Sequence, residues 1–136
     1  MVSFKSIAAA VVLSVVTSAA SLDVVRAEEG FPFGMEMTLD AARMPGSKRV
    51  PDLDIGDNGE VILELWCKGG KGQFSVAGNS VIFVAGAFEA RNCPPDRAQA
   101  DDDLLAALTD VTNWKRQGDL VLFVGPKTLR FRINTN

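Results

Sequence analysis

Cys67 and Cys93 are the only thiols in a chain of 136 residues that has no histidine and no tyrosine. Nucleophilic hydrolysis needs a base beside its serine or cysteine, and the commonest such base, imidazole, is missing. A Ser–Lys pair drawn from Ser75 or Ser80 with Lys71 has no spacing that separates it from exposed hairpin residues. Lys68-Gly69-Gly70-Lys71-Gly72 has the glycines and lysines of a phosphate-cradling loop. However, Gly72-Gln73 follows the second lysine where a P-loop needs Ser or Thr to reach the metal. Asp52, Asp54, Asp57, Asn58 and Glu60 collect oxygen ligands suited to calcium. With Gly56 at the fifth ligand position and Leu63 at the twelfth, the bidentate glutamate of an EF-hand is absent, and a polar hairpin turn accounts for the cluster. The expectation is a protein that is not an enzyme and holds no metal and no cofactor.

The elements that must carry these residues begin with an address. Lys5 precedes an apolar run from Ile7 to Ala20 whose only polar residues are Ser14, Thr17 and Ser18. Val25 and Ala27 fit the two small pockets of a leader peptidase, and Glu28-Glu29 opens the mature chain. Residues 1–27 are therefore expected to be a cleaved signal peptide and 28–136 a single domain. The apolar run is shorter than the roughly 20 residues a spanning helix needs, and no cysteine near the cut could take a lipid. That predicts a periplasmic or secreted protein without a stable membrane anchor. Cleavage removes Lys5, Asp23 and Arg26, leaving 12 basic and 16 acidic side chains, a balance that disfavours nucleic acid as a partner.

Export also predicts a Cys67–Cys93 disulfide, because an even count of two allows only one internal pairing in an oxidising compartment. The two cysteines are not in a C-x-x-C arrangement that would tune a thiolate for redox work.

Period-two alternation dominates the rest and predicts a mostly β protein with one packed α-helix, a compact antiparallel sheet or barrel. Phe33, Met35 and Met37 mark a first strand, 41–51 a loop, and Leu53 and Ile55 a short strand. Asp57-Asn58-Gly59 turns into Val61 to Trp66, and Gly69, Gly70 and Gly72 read as a flexible connection. Strands over 73–77 and 80–84 flank a turn at Gly78-Asn79. Pro94-Pro95 stops the sheet before a helix carrying Leu104, Leu108 and Val111. Asp101, Asp102 and Asp103 are expected as charge near the helix start. Strands over 111–117, 119–124 and 128–133 close the chain, with Trp114 expected on an outer, solvated face and Trp66 shielding the disulfide.

A cysteine followed at five and seven positions by glycine and an aromatic, Cys67, Gly72 and Phe74, resembles the pattern of META/HslJ domains. The similarity runs through Gly78, Phe83, Cys93-Pro94-Pro95, the Leu104 to Leu108 helix, Val111 to Trp114 and Gly118 to Leu122, from about Phe33 to Ile133. The resemblance implies a β-rich domain with one helix and no catalytic residues, in exported bacterial proteins linked to stress or antibiotic tolerance. Trp66-Cys67-Lys68 and Glu89-Ala90-Arg91 depart from the family's Gly-Cys-Asn and Thr-basic-Met. The expected activity is binding of an envelope protein or small ligand through a loop of Trp66, Lys68, Lys71 and Arg91. The alternative is a secreted inhibitor of a cell-wall hydrolase, akin to lysozyme inhibitors, with Lys68 and Lys71 plugging an acidic cleft.

Overall fold

A computed structural model describes residues 11–15 and 30–135. The expected leader, 1–27, lies outside the described residues apart from 11–15, which carry no helix or strand. Eight strands form a closed antiparallel barrel in chain order: β1 (Glu36–Leu39), β2 (Asp52–Ile55), β3 (Glu60–Glu64), β4 (Gly69–Ala77), β5 (Ser80–Phe88), β6 (Asn113–Gln117), β7 (Leu120–Val124) and β8 (Leu129–Ile133). One helix, α1 (Pro95–Thr109), joins β5 to β6. The fold is mostly β with one helix, as the alternation predicts.

The pleat decides what goes inside. Met37 pairs with Leu53 on one side and with Ile133 on the other, and Leu53 pairs in turn with Leu63, so successive strands send one apolar row inward. Phe74, Phe83, Phe123 and Phe131 fill the middle of the barrel. The Phe74 and Phe123 rings stack at 5.4 Å, and Phe123 meets Phe131 edge-on at 5.7 Å. Each such side chain contributes about 1.5–3 kcal/mol on burial, so the aromatic side chains make the interior the core of the barrel. Leu104 and Leu108 of α1 and Val111 just beyond it pack against the same core.

Gly78 and Gly118 take the first central position of two-residue hairpin turns, with φ of 57° and 58°. An L side chain there would be strained, whereas glycine matches the turn to the twist of its strands.

Four local expectations differ from the structure. Phe33 lies in a turn before β1, which begins only at Glu36. The glycine-rich stretch is strand, not a flexible connection: Gly69, Gly70 and Gly72 belong to β4. A Cβ on Gly70 would lie 2.5 Å from the Phe88 ring, and one on Gly72 would lie 2.6 Å from that of Phe83. The glycines are seats for cross-strand aromatics rather than hinges. Trp114 faces inward, buried beside Phe31, and its indole N–H donates to the Gly78 carbonyl at 2.8 Å. Its strand neighbour Arg116 shares the inward parity but sits where β6 approaches the barrel end, donating to the carbonyls of Gly118 and Gly30. Finally, the aspartate run lies in the middle of α1, not near its start.

Candidate functional site

The residues singled out around the cysteines meet at one end of the barrel, where the β3–β4 connection, the end of β5 and α1 converge. The Cys67 and Cys93 sulfurs are 2.09 Å apart, a disulfide distance, and their Cα atoms are 5.9 Å apart. Beneath Cys67 lies Asp101, fully buried at 0% exposure. Its Oδ1 accepts the Trp66 N–H at 2.7 Å, and its Oδ2 accepts those of Cys67 at 3.1 Å and Lys68 at 2.8 Å. Three consecutive amides that no strand satisfies thus converge on one helical carboxylate. Such charge-assisted bonds are the strong class, and they pin α1 to the β3–β4 connection.

Arg91 is the second organiser of this end. Its guanidinium donates to Glu64 Oε2 at 3.0 Å, to Glu89 Oε2 at 2.8 Å and to the Cys67 carbonyl at 3.1 Å. Glu64 also pairs with Arg49 across the barrel rim. The Arg91 hydrogen bond, with the charges of Arg91 and Arg49, holds the Glu64 carboxyl below its ordinary range. Arg91 in turn is held above its ordinary value, chiefly by hydrogen bonding to Glu64.

The four side chains of the expected interaction loop therefore have different surroundings. Trp66 is buried, beside a surface pocket of about 270 Å³ that Ser47 and Arg97 also line. Lys68 is half-buried, with its Nζ 3.1 Å from Asp102 Oδ1. Arg91 is tied into its carboxylate pair. Lys71 stands apart on the outer face of β4, opposite Ile62, with no ion-pair partner among the described residues. Around it the outer face of β3, β4 and β5 is mixed: Ile62, Ile82 and Val84 are 50%, 61% and 58% exposed, among Glu60, Glu64, Gln73 and Ser75. A groove of about 290 Å³ runs between Ile62, Lys71, Ala87 and Phe88, with the carboxylates of Glu64 and Glu89 also on its walls.

Sequence reasoning missed Asp101. The available signal was position: Asp101 precedes Leu104 and Leu108 by three and seven residues, so it lies on the buried stripe of the helix.

A second acidic group lies on the outer face of β1 and β2. One oxygen of Asp52, Oδ1, is buried without a donor. Burial, a hydrogen bond to Glu36 and the charges of Glu36 and Asp54 push its carboxyl up to about 7. Among the described residues no three His, Cys, Asp or Glu side chains gather closely enough to hold a metal ion.

A family model described as META domain matches residues 35–133. The chain belongs to the META domain family. The barrel also resembles two structures determined by NMR. One is a protein from Burkholderia xenovorans, at 15% identity and a TM-score of 0.64, over 76% of this chain and 84% of that one. The other reaches 11% identity and a TM-score of 0.55, over 74% and 89%. At these identities the likeness concerns the fold alone. No curated protein matches the chain. Among the described residues no helix is long and apolar enough to cross a membrane.

Proposed function

We propose that this META domain is an exported, non-enzymatic binding protein that supports stress or antibiotic tolerance by docking another envelope protein on the outer face of β3, β4 and β5. The observation behind this reading is the contrast between inside and outside. The barrel interior is filled by aromatic side chains, whereas Ile62, Ile82 and Val84 stand exposed around Lys71. A partner suited to that face presents an apolar patch bordered by carboxylates. The test is cross-linked capture from an envelope extract with disulfide-intact residues 28–136 as bait, beside an Ile62→Glu, Lys71→Glu variant. One partner enriched by the native bait and lost by the variant is expected. Enrichment no better than with an unrelated exported domain would defeat the proposal.

Lys71 supports one further reading. Lys68 is engaged by Asp102, while Lys71 has no acidic neighbour in pairing distance among the described residues and can reach into an acidic cleft. Inhibition of a cell-wall hydrolase would use that cation. Unchanged lysozyme clearing at excess protein eliminates this reading for that enzyme.

A further inference from the structure

The pocket beside Trp66 collects positive charge. Lys48, Arg49 and Arg97 line its volume of about 270 Å³ and no carboxylate does, in a chain where 17 acidic side chains outnumber 14 basic ones. Arg49 shares its charge with Glu64, whereas Lys48 and Arg97 form no ion pair among the described residues. Arg97 Nε is also buried without an acceptor, a costly state for a charged donor. Asp101, one helical turn beyond Arg97, does not supply that acceptor, since its two oxygens take the amides of Trp66, Cys67 and Lys68. The walls are built independently of any ligand. Ser47 is buried; its N–H donates to the Met44 carbonyl at 3.0 Å, and its Oγ donates to the Arg49 carbonyl at 3.0 Å and approaches the Trp66 carbonyl at 3.5 Å. The turn that carries Lys48 and Arg49 is thereby fastened to the β3–β4 connection. Across from it, Arg97 occupies the first turn of α1 with its Nη2 against Gly46, where a Cβ would lie 3.6 Å away.

We propose that this pocket binds a phosphate group. Two uncompensated cations, with a third shared with Glu64, match a dianion better than a single carboxylate, and guanidinium forks fit phosphate oxygens in pairs. A phosphate oxygen supplies the acceptor that Arg97 Nε lacks. Water occupies about 30 Å³ per molecule in the liquid, so the pocket holds a phosphate and leaves room along Trp66 for the group that carries it. Inorganic phosphate and a phosphomonoester share this chemistry. The pocket has no lining residue in common with the groove beside Lys71, so the proposal stands apart from the partner reading.

The test is isothermal titration calorimetry on purified, disulfide-intact protein at low salt and neutral pH, with inorganic phosphate and glucose 1-phosphate as probes and acetate as the monoanion control. Saturable binding of one phosphate per chain is expected, with a Kd of about 1 mM or below. Arg97→Gln should weaken it about tenfold or more and Lys48→Gln by a smaller factor, whereas Lys71→Gln should leave it unchanged. Circular dichroism and melting check that the variants fold, and Arg97→Lys, which keeps the charge but not the fork, should bind between Arg97→Gln and the native protein. Equal affinity for the two probes assigns recognition to the phosphate alone; tighter glucose 1-phosphate binding assigns a contact to its carrier as well, and both results support the site. No saturable binding of either probe up to about 10 mM, an affinity that folded Arg97→Gln retains, or acetate bound as tightly as phosphate would each overturn the proposal. Because no envelope extract is used and Lys71→Gln keeps the pocket intact, failure here is separable from failure of the partner reading.

Discussion

Removing the carboxylate of Asp101 should cost far more than its position in an acidic run suggests. In Asp101→Ala the Trp66 amide, buried and bonded at 2.7 Å, keeps no acceptor, a loss of about 2–3 kcal/mol for a bond to a charged group. The Cys67 and Lys68 amides are partly buried, so entering water recovers part of their bonds and each loses about 0.5–1 kcal/mol. Alanine returns about 0.5 kcal/mol through helix propensity. The net expectation is about 3–4 kcal/mol, which lowers Tm by roughly 12–30 °C in a domain of this size. Asp101→Asn should fall between the two, near 2 kcal/mol, because its amide turns an NH2 toward one of the three donors. Asp102, whose side chain is 60% exposed, supplies the control: Asp102→Ala should change stability by less than about 0.5 kcal/mol. The assay is urea unfolding of oxidised protein at neutral pH, followed by tryptophan fluorescence and circular dichroism. A loss below about 1 kcal/mol for Asp101→Ala, with an unchanged urea slope, would refute the assignment of Asp101 as the anchor of α1.

Asp52 predicts a pH dependence. Its folded value of about 7 lies above the ordinary 3.8, so the folded state keeps a proton that the unfolded chain releases, and stability from this group falls as pH rises from about 4 to 7. Asp52→Asn should therefore raise Tm relative to the native protein at pH 8 and lose that advantage at pH 4; equal Tm differences at both values would contradict the shift. Replacing both cysteines by serine should cost about 3.5 kcal/mol in urea unfolding, the chain-entropy value for a separation of 26 residues. Gly72→Val should destabilise by about 2 kcal/mol or more, because its Cβ meets the Phe83 ring at 2.6 Å and the Val84 carbonyl at 2.9 Å; a melting curve superposable on the native one would show that the Phe83 ring swings aside.

The legible parts of the sequence were those governed by near neighbours. Alternation located most strands, Gly78 and Gly118 marked their turns, and Pro94-Pro95 with Leu104 and Leu108 marked the helix. What stayed hidden depends on contacts between distant residues. Trp114 looked outward because Arg116 shares its parity, but a barrel stave crosses from core to rim within two residues, so a polar neighbour does not fix the face. The glycines of β4 looked like a hinge because the Phe88 and Phe83 rings that rest on them lie in another strand. Asp101 bonds to amides 33 to 35 residues earlier, and no local pattern of charge announces such a partner. Of the expected interaction loop, composition identified the cations without showing that Lys68 and Arg91 are already bonded to carboxylates.

The order of the staves also bears on how the chain reaches this fold. Every ladder from β1 through β5, and again from β6 through β8, joins strands that are consecutive in sequence, so most of the sheet can zip from neighbouring hairpins. Two ladders are longer in range: β5 against β6, with α1 between them in sequence, and β1 against β8, where Met37 must find Ile133 across nearly the whole domain. Closing a loop of that length costs about 4 kcal/mol in chain entropy, set against a ladder of only a few residues. The two ends of the domain therefore have little reason to meet until the inward rows of β2 to β7 and the stripe of α1 already form a surface for them to cover. Closure of the barrel is therefore expected late in folding, rewarded by the core more than by its own hydrogen bonds.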